Sequence, residues 1–309
     1  MSASIPLSAL ELREAARNGE RIDKSRLNRV LGIDAQRGLI EVQGGTPWRT
    51  IAAELRPQDP RALAASSMAT VGSSIARNAA GPDGAPTVNH VASLALVTPD
   101  GDLKRVSRNR DAELFALAVG GQGLFGTIYS VTLFIRSLAA AVERQAEPER
   151  LTLRPHARAQ PPLALLLPPE AVDGFVRQTD VRCNDWRIGL HSVAIRRTLG
   201  EEETYLRWAR RDYAEVNLSL ARPGGLGGMV RSGQLRRELI DAAIALGGSF
   251  QIASTPEATR AQVEACYPQL KGFLAQKRRF DPNERVINDW YRHQRSVLTC
   301  EPCEVRWAS

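Results

Sequence analysis

A chain of 309 residues, 43% of them apolar, is long enough to bury a large core and to divide into two domains. Its net charge of +7 comes from basic residues scattered along the sequence, and aromatic residues make up only 6%, so the pattern argues against a nucleic-acid binder. No apolar run reaches the length of a transmembrane helix, and the first 21 residues contain no signal-like apolar segment, so a cytoplasmic protein without a membrane span is expected. Four cysteines (Cys183, Cys266, Cys300, Cys303) are too few for a disulfide framework in a chain this long. Cys300 and Cys303 have CxxC spacing but no second pair or histidine couple, so no metal or redox site is expected.

Residues 8–18 carry Leu10, Leu12, Ala15 and Ala16 at helical spacing and stop at Gly19, which predicts a helix. LIEV (39–42), bounded by Gly38 and by Gly44-Gly45, predicts a strand. Pro47 then opens a helix with Trp48, Ile51, Ala52 and Leu55 on one face, and 58–65 reads as connector. VASLALVT (91–98) and 103–107 flank Asp100-Gly101, a hairpin signal. A short helix is expected over 113–119 and a β-branched strand over 127–136.

The character changes beyond Arg136. Residues 137–160 read as a crossover between domains. Strands are expected at 163–167, 187–197, 213–220 and 247–254, with helices at 169–177, 232–246, 257–266 and 269–279. PGGLGG (223–228) reads as a flexible loop and 281–293 as a turn-rich close. Strands and helices in no strict βαβ order predict an α+β fold.

Two glycine-bearing segments stand out. The first is TVGSSIARNAAG (70–81), in which small hydroxyl residues flank Gly72; read alone, it is a serine-rich turn before a short helix. The second, Gly121-Gln122-Gly123-Leu124-Phe125-Gly126, matches GxGxxG literally. A dinucleotide fingerprint needs a strand before the glycines and a helix after them; here the order is inverted, so a Rossmann site is rejected. Spacing leaves two options for it, a cofactor-hugging loop of another fold or a tight helix-to-strand turn without a ligand.

The succession SRLNRVLGID (25–34), GLIEVQGGTPWRTIAAEL (38–55), TVGSSIARNAAG, VASLALVTPDGDLKRVS (91–107) and ELFALAVGGQGLFGTIYSVTLFI (113–135) resembles the PCMH-type FAD-binding domain of the vanillyl-alcohol-oxidase-type flavoproteins. The later segments GGSF (247–250) and 258–293 are similar to the end of the substrate domain in bacterial FAD-linked oxidoreductases near the sugar-lactone and alditol oxidases. The resemblance implies an FAD-binding domain over 1–137, a substrate or cap domain over 138–278, and a C-terminal segment, 279–309, returning toward the first.

It further implies cofactor contacts from Thr70, Gly72, Ser73, Ser74, Asn78 and Gly81, and from Gly120, Gly121, Gly123, Gly126 and Ile128. The family removes a hydride from a hydroxyl-bearing carbon to flavin N5 and passes the electrons to oxygen or another acceptor. Family members begin several dozen residues earlier, with a Gly-His-Ser-type loop that grips the pyrophosphate; this sequence begins near that loop's end. No histidine precedes His90, so FAD, if bound, is expected to be noncovalent. The family's paired glycine is Gly72-Ser73 here, and its histidine before the final glycine is Ala80. The expected partner is a hydroxylated small molecule, and the alternative is a truncated or degenerate relative with no catalytic activity and a structural or interaction role. The resemblance assigns no catalytic residue; Arg187, Gln251 and Asn288 are polar candidates, whereas His156, His191 and His293 read as structural.

Overall fold

The computed structural model describes residues 4–55, 69–81, 83–143, 149–152 and 160–299. The expected connector over 58–65, the CxxC pair and His156 lie outside these residues.

Helix α1 (Ala9–Arg17) is capped by Ser8, whose hydroxyl accepts the Glu11 N–H, and it buries Leu12 and Ala15. Five antiparallel strands follow: β1 (Val30–Asp34), β2 (Leu39–Gln43), β3 (Val91–Val97), β4 (Leu103–Ser107) and β5 (Thr127–Phe134), in the spatial order β1-β2-β5-β3-β4. The β3–β4 hairpin pairs Val97 with Leu103 around Asp100-Gly101, the turn that the Asp-Gly step specifies. Between β2 and β3 lie α2 (Trp48–Leu55), α3 (Val71–Arg77) and a 3-10 turn, Thr87–His90. Helix α4 (Ala112–Ala118) precedes β5, and α5 (Ile135–Glu143) follows it directly.

The second sheet is also antiparallel, in the order β10-β7-β9-β8-β6, built from β6 (Glu149–Thr152), β7 (Leu163–Leu167), β8 (Leu190–Thr198), β9 (Tyr213–Leu220) and β10 (Ser249–Phe250). Every residue of β7 is buried, as its unbroken LALLL requires of a strand covered on both faces. Helices α6 (Val172–Asp185) and α7 (Gly225–Ala245) pack on this sheet. Helices α8 (Arg260–Cys266), α9 (Leu270–Phe280) and α10 (Asp289–Thr299) complete the described chain. The fold class is α+β. Among the described residues, no helix is long and apolar enough to cross a membrane.

The structure corrects five local expectations. The segment 70–81, read alone as a serine-rich turn before a short helix, is itself mostly helix α3, because Thr70 caps a short apolar turn. Residues 223–228 are not a flexible loop, since α7 starts at Gly225. The strand expected over 247–254 shrinks to Ser249–Phe250, which pair with Leu166 and Leu165 of β7, and the chain turns away after Gln251 N–H donates to Ala164 O. Helix α5 replaces the end of the strand over 127–136 and the start of the supposed crossover. Helix α10 takes up the second half of the expected turn-rich close.

The two sheets belong to one continuous core. Segment 197–211, between β8 and β9, grips the first sheet's loops. Leu199 N–H donates to Gly84 O at 2.9 Å, Tyr205 N–H to Ala116 O at 2.9 Å, and Trp208 Nε1–H to Asn78 O at 2.9 Å. Arg108 pairs with Glu203 across the same seam. From the C-terminal side, Phe125 inserts against Phe273 and Phe280 of α9 with ring centroids 5.3 and 5.9 Å apart, near edge-to-face.

Candidate functional site

Helix α3 is the element around which the glycine segments assemble. Thr70 Oγ1 accepts the Ser73 N–H at 3.3 Å, and Ser73 Oγ donates to Thr70 O at 2.8 Å. Gly72 N–H donates to Gly44 O at 2.8 Å, and a Cβ on Gly72 would lie 2.6 Å from that oxygen. Backbone crosses backbone at this point, which only glycine permits.

At the other end of α3, Asn78 takes the left-handed conformation (φ 47°) and is fully buried. Its Oδ1 accepts the Val88 N–H at 2.9 Å, and its Nδ2 donates to Glu201 Oε1 at 3.4 Å. Burial pushes the Glu201 carboxyl above its usual range, against the opposing bonds from Thr204 and Glu203. The second glycine segment closes this end. Gly120 N–H donates to Ile75 O at 2.9 Å and Gln122 N–H to Ala76 O at 2.7 Å, so it satisfies the last carbonyls of α3. Gly121 and Gly126 back onto Leu117 O and Val97 O, and Ile128 is buried against Gly44. Gly123 alone has open space around it.

Two spaces border α3. The first is a cavity of about 200 Å³ lined by Ser74 and Arg77 of α3, Ala79, Ala80 and Gly81 after it, Thr87 and His90 of the 3-10 turn, Ala69, Trp48 of α2, and Leu138 and Ala141 of α5. Trp48 Nε1–H donates to Ser74 Oγ at 2.9 Å, which fixes one wall. His90 is 3% exposed; its Nδ1 lies 2.6 Å from Ser137 Oγ and its Nε2 3.9 Å from Asp83 Oδ1. The second space is an open cleft of about 480 Å³ at Arg21, Asp23, Lys24, Ser25, Gly45 and Thr70. Ala69 lines the first and its neighbour Thr70 the second.

Of the residues that the sequence points to, Ser74 and Gly81 border the cavity and Thr70 borders the cleft. Gly72, Ser73, Asn78, Gly120, Gly121, Gly123, Gly126 and Ile128 border neither; the bonds above place most of them in holding α3 and its neighbours together. The other polar candidates lie elsewhere. Asn288 bridges the start of α10 to Gln122 O, Gln251 closes a turn onto Thr255, and Arg187 is exposed beyond α6. The sequence reading missed Trp48, Arg77, Thr87, His90, Leu138 and Ala141 as wall residues. They come from four separate elements, and no spacing rule links them.

The residue chemistry suits a large amphipathic ligand: an apolar cavity with a few polar edges lies on one side of the Ala69–Thr70 step, and a cleft lined by Arg21 and Lys24 on the other. Residues 8–107 match the family model of an FAD binding domain. The cofactor is FAD. The FAD binding domain thus covers the first sheet up to the end of β4, helix α3 and most of both spaces, while α5 adds the cavity's remaining wall from outside the matched segment. The donor set fits the cofactor. A space of about 200 Å³ is smaller than the ~300–1,000 Å³ that encloses a whole drug-sized ligand, so this cavity would hold only part of the cofactor. The match supports a flavin-dependent oxidoreductase.

Proposed function

We propose that the protein is an FAD-dependent oxidoreductase that oxidises a hydroxylated small molecule, such as a sugar, an alditol or a lactone-like compound, with FAD held noncovalently. Support for the cofactor half comes from one observation, the FAD binding domain match over a segment that lines both spaces beside α3. Support for the substrate half is the order of sequence segments shared with alcohol-oxidising flavoproteins. When bound, FAD supplies the acceptor, at flavin N5, for a hydride leaving the carbon that bears the hydroxyl. The acceptor that reoxidises it is oxygen or another oxidant.

The chain's own residues bind, orient and exclude water. Trp48, Leu138 and Ala141 make the apolar walls, Ser74 and Thr87 give hydroxyls, and His90, steadied at Nδ1 by Ser137, offers an imidazole edge. In this reading Thr70, Ser74 and Gly81 touch the cofactor, and the remaining predicted residues keep α3 in place. The second sheet forms the substrate half, held to the first by the seam over 197–211. A degenerate relative without FAD is not favoured, because both the matched segment and the wall chemistry suit the cofactor.

The test is anaerobic. Holoprotein mixed with a panel of alditols, aldoses and sugar lactones is expected to lose its oxidised-flavin absorbance with at least one of them and to regain it in air or with an artificial acceptor. Flavin that no hydroxylated compound bleaches, but that a reductant of another class does, contradicts the substrate assignment while leaving the cofactor in place.

A further inference from the structure

We infer that Lys24 holds the phosphate-bearing linker of the dinucleotide in the cleft at Gly45 and Thr70. The inference rests on the FAD reading and adds to it a specific cationic contact.

Lys24 is partly buried and lines the cleft, yet among the described residues it makes no ion pair and no side-chain hydrogen bond. Burial lowers its pKa from the ordinary lysine value, and nothing opposes the shift. A lysine that gives up hydration without gaining a counter-ion is destabilising unless an anion completes the site. The backbone holds this lysine in place. Gly45 N–H donates to Leu27 O at 2.7 Å, and a Cβ on Gly45 would lie 2.3 Å from Lys24 O and 2.6 Å from Leu27 O. The turn over 24–27 is therefore clamped to the Gly44-Gly45 step, and the fully buried Leu27 anchors its end.

One carboxylate shares the cleft, that of Asp23. It accepts the Ser25 N–H at 2.9 Å; the bonds to Ser25, with a smaller contribution from Arg21, hold it below the usual carboxylate range. Arg21 offsets Asp23, which leaves Lys24 as the net positive charge. A phosphate ester suits a lysine of this kind, because the ammonium is a compact charge that needs no planar partner. Consecutive residues line the two spaces, Ala69 the cavity and Thr70 the cleft, and in this reading FAD spans both.

The experiment titrates the protein with FAD and, separately, with riboflavin, which lacks phosphate, and follows flavin fluorescence at low and moderate salt. Lys24→Met is expected to weaken FAD about ten- to a hundredfold, the equivalent of a charge-assisted hydrogen bond. It is also expected to flatten the salt dependence and to leave riboflavin binding unchanged. Lys24→Arg keeps the charge and is expected to keep most of the FAD affinity, and Lys104→Met, on exposed β4, serves as the charge control. Inorganic pyrophosphate is expected to compete with FAD in the wild type and to compete poorly in Lys24→Met. The inference is overturned if Lys24→Met binds FAD as the wild type does, or if it loses riboflavin as much as FAD. Wild-type protein that binds neither flavin overturns the FAD reading as well, so the two failures are distinguishable.

Discussion

Alanine in place of Gly84 is expected to destabilise the protein by about 2–5 kcal/mol, summing the strain of a left-handed backbone and the cost of an overpacked contact. Gly84 has φ +78°, and a Cβ there would lie 2.0 Å from Arg197 O, at the end of β8. The same residue's carbonyl accepts the Leu199 N–H. Relief of the clash must therefore move the seam between the sheets, or the loop 79–90 that walls the cavity. Gly123→Ala is the matched control: its φ is +73°, but nothing lies within 4 Å of the added Cβ, so only the strain of about 1–2 kcal/mol remains. Urea unfolding of the two variants separates the terms. Gly84→Ala is also expected to weaken FAD, through the displaced loop, more than Gly123→Ala does. Equal stability of the two variants contradicts the packing described for the seam.

Lys277→Met is expected to cost about 3 kcal/mol or more, the range for breaking one side of a buried ion pair. Lys277 and Asp281 are 0% and 2% exposed and pair directly, with the ammonium also 5.6 Å from the Tyr291 ring centroid. Burial by itself would raise the Asp281 carboxyl. The Lys277 bond and the Val286 and Arg285 amides outweigh it, so the net shift is downward from 3.8. A carboxyl lowered by folding stabilises the native state above its unfolded pKa, and that stability is lost as pH falls through the folded value. Wild type and variant are therefore expected to differ fully at neutral pH and to converge below pH 3.8. The check is denaturant unfolding across that range. The pair holds α9 to the turn that leads into α10, and α9 in turn packs on Phe125, so its loss is expected to loosen the second glycine segment from the C-terminal side.

Much of the fold was legible in the sequence because its signals are local. The Asp-Gly turn set the β3–β4 hairpin, LALLL announced a strand, and Ser8 and Gly19 bounded α1. The elements missed are those in which local signals mislead. Strand β1 is an edge strand with four of its five residues exposed, so it shows no alternation. Helix α7 begins in PGGLGG, and Gly227 has no close neighbour for its missing Cβ, so its propensity argues against the helix that packing supplies. Helix α5 follows β5 without a break, where a β-branched run conceals the change of period.

The candidate site divides in the same way. Thr70, Ser74 and Gly81, proposed from the family resemblance, line the two spaces beside α3. His90, Trp48 and Leu138 become wall residues only through tertiary packing. Lys24 acquires significance only once its turn is seen clamped to Gly45 and its ammonium is seen without an ion pair among the described residues. The literal GxGxxG turned out to be a helix closure: its Gln122 amide, with that of the preceding Gly120, bonds the end of α3, and its phenylalanine packs on α9.

The central claim is that this chain carries FAD beside α3, and the most direct test is cofactor stoichiometry. Protein incubated with FAD and passed through gel filtration is expected to elute yellow, with one noncovalent FAD per chain that acid releases into the supernatant. Colourless protein that neither retains FAD nor quenches its fluorescence contradicts the claim.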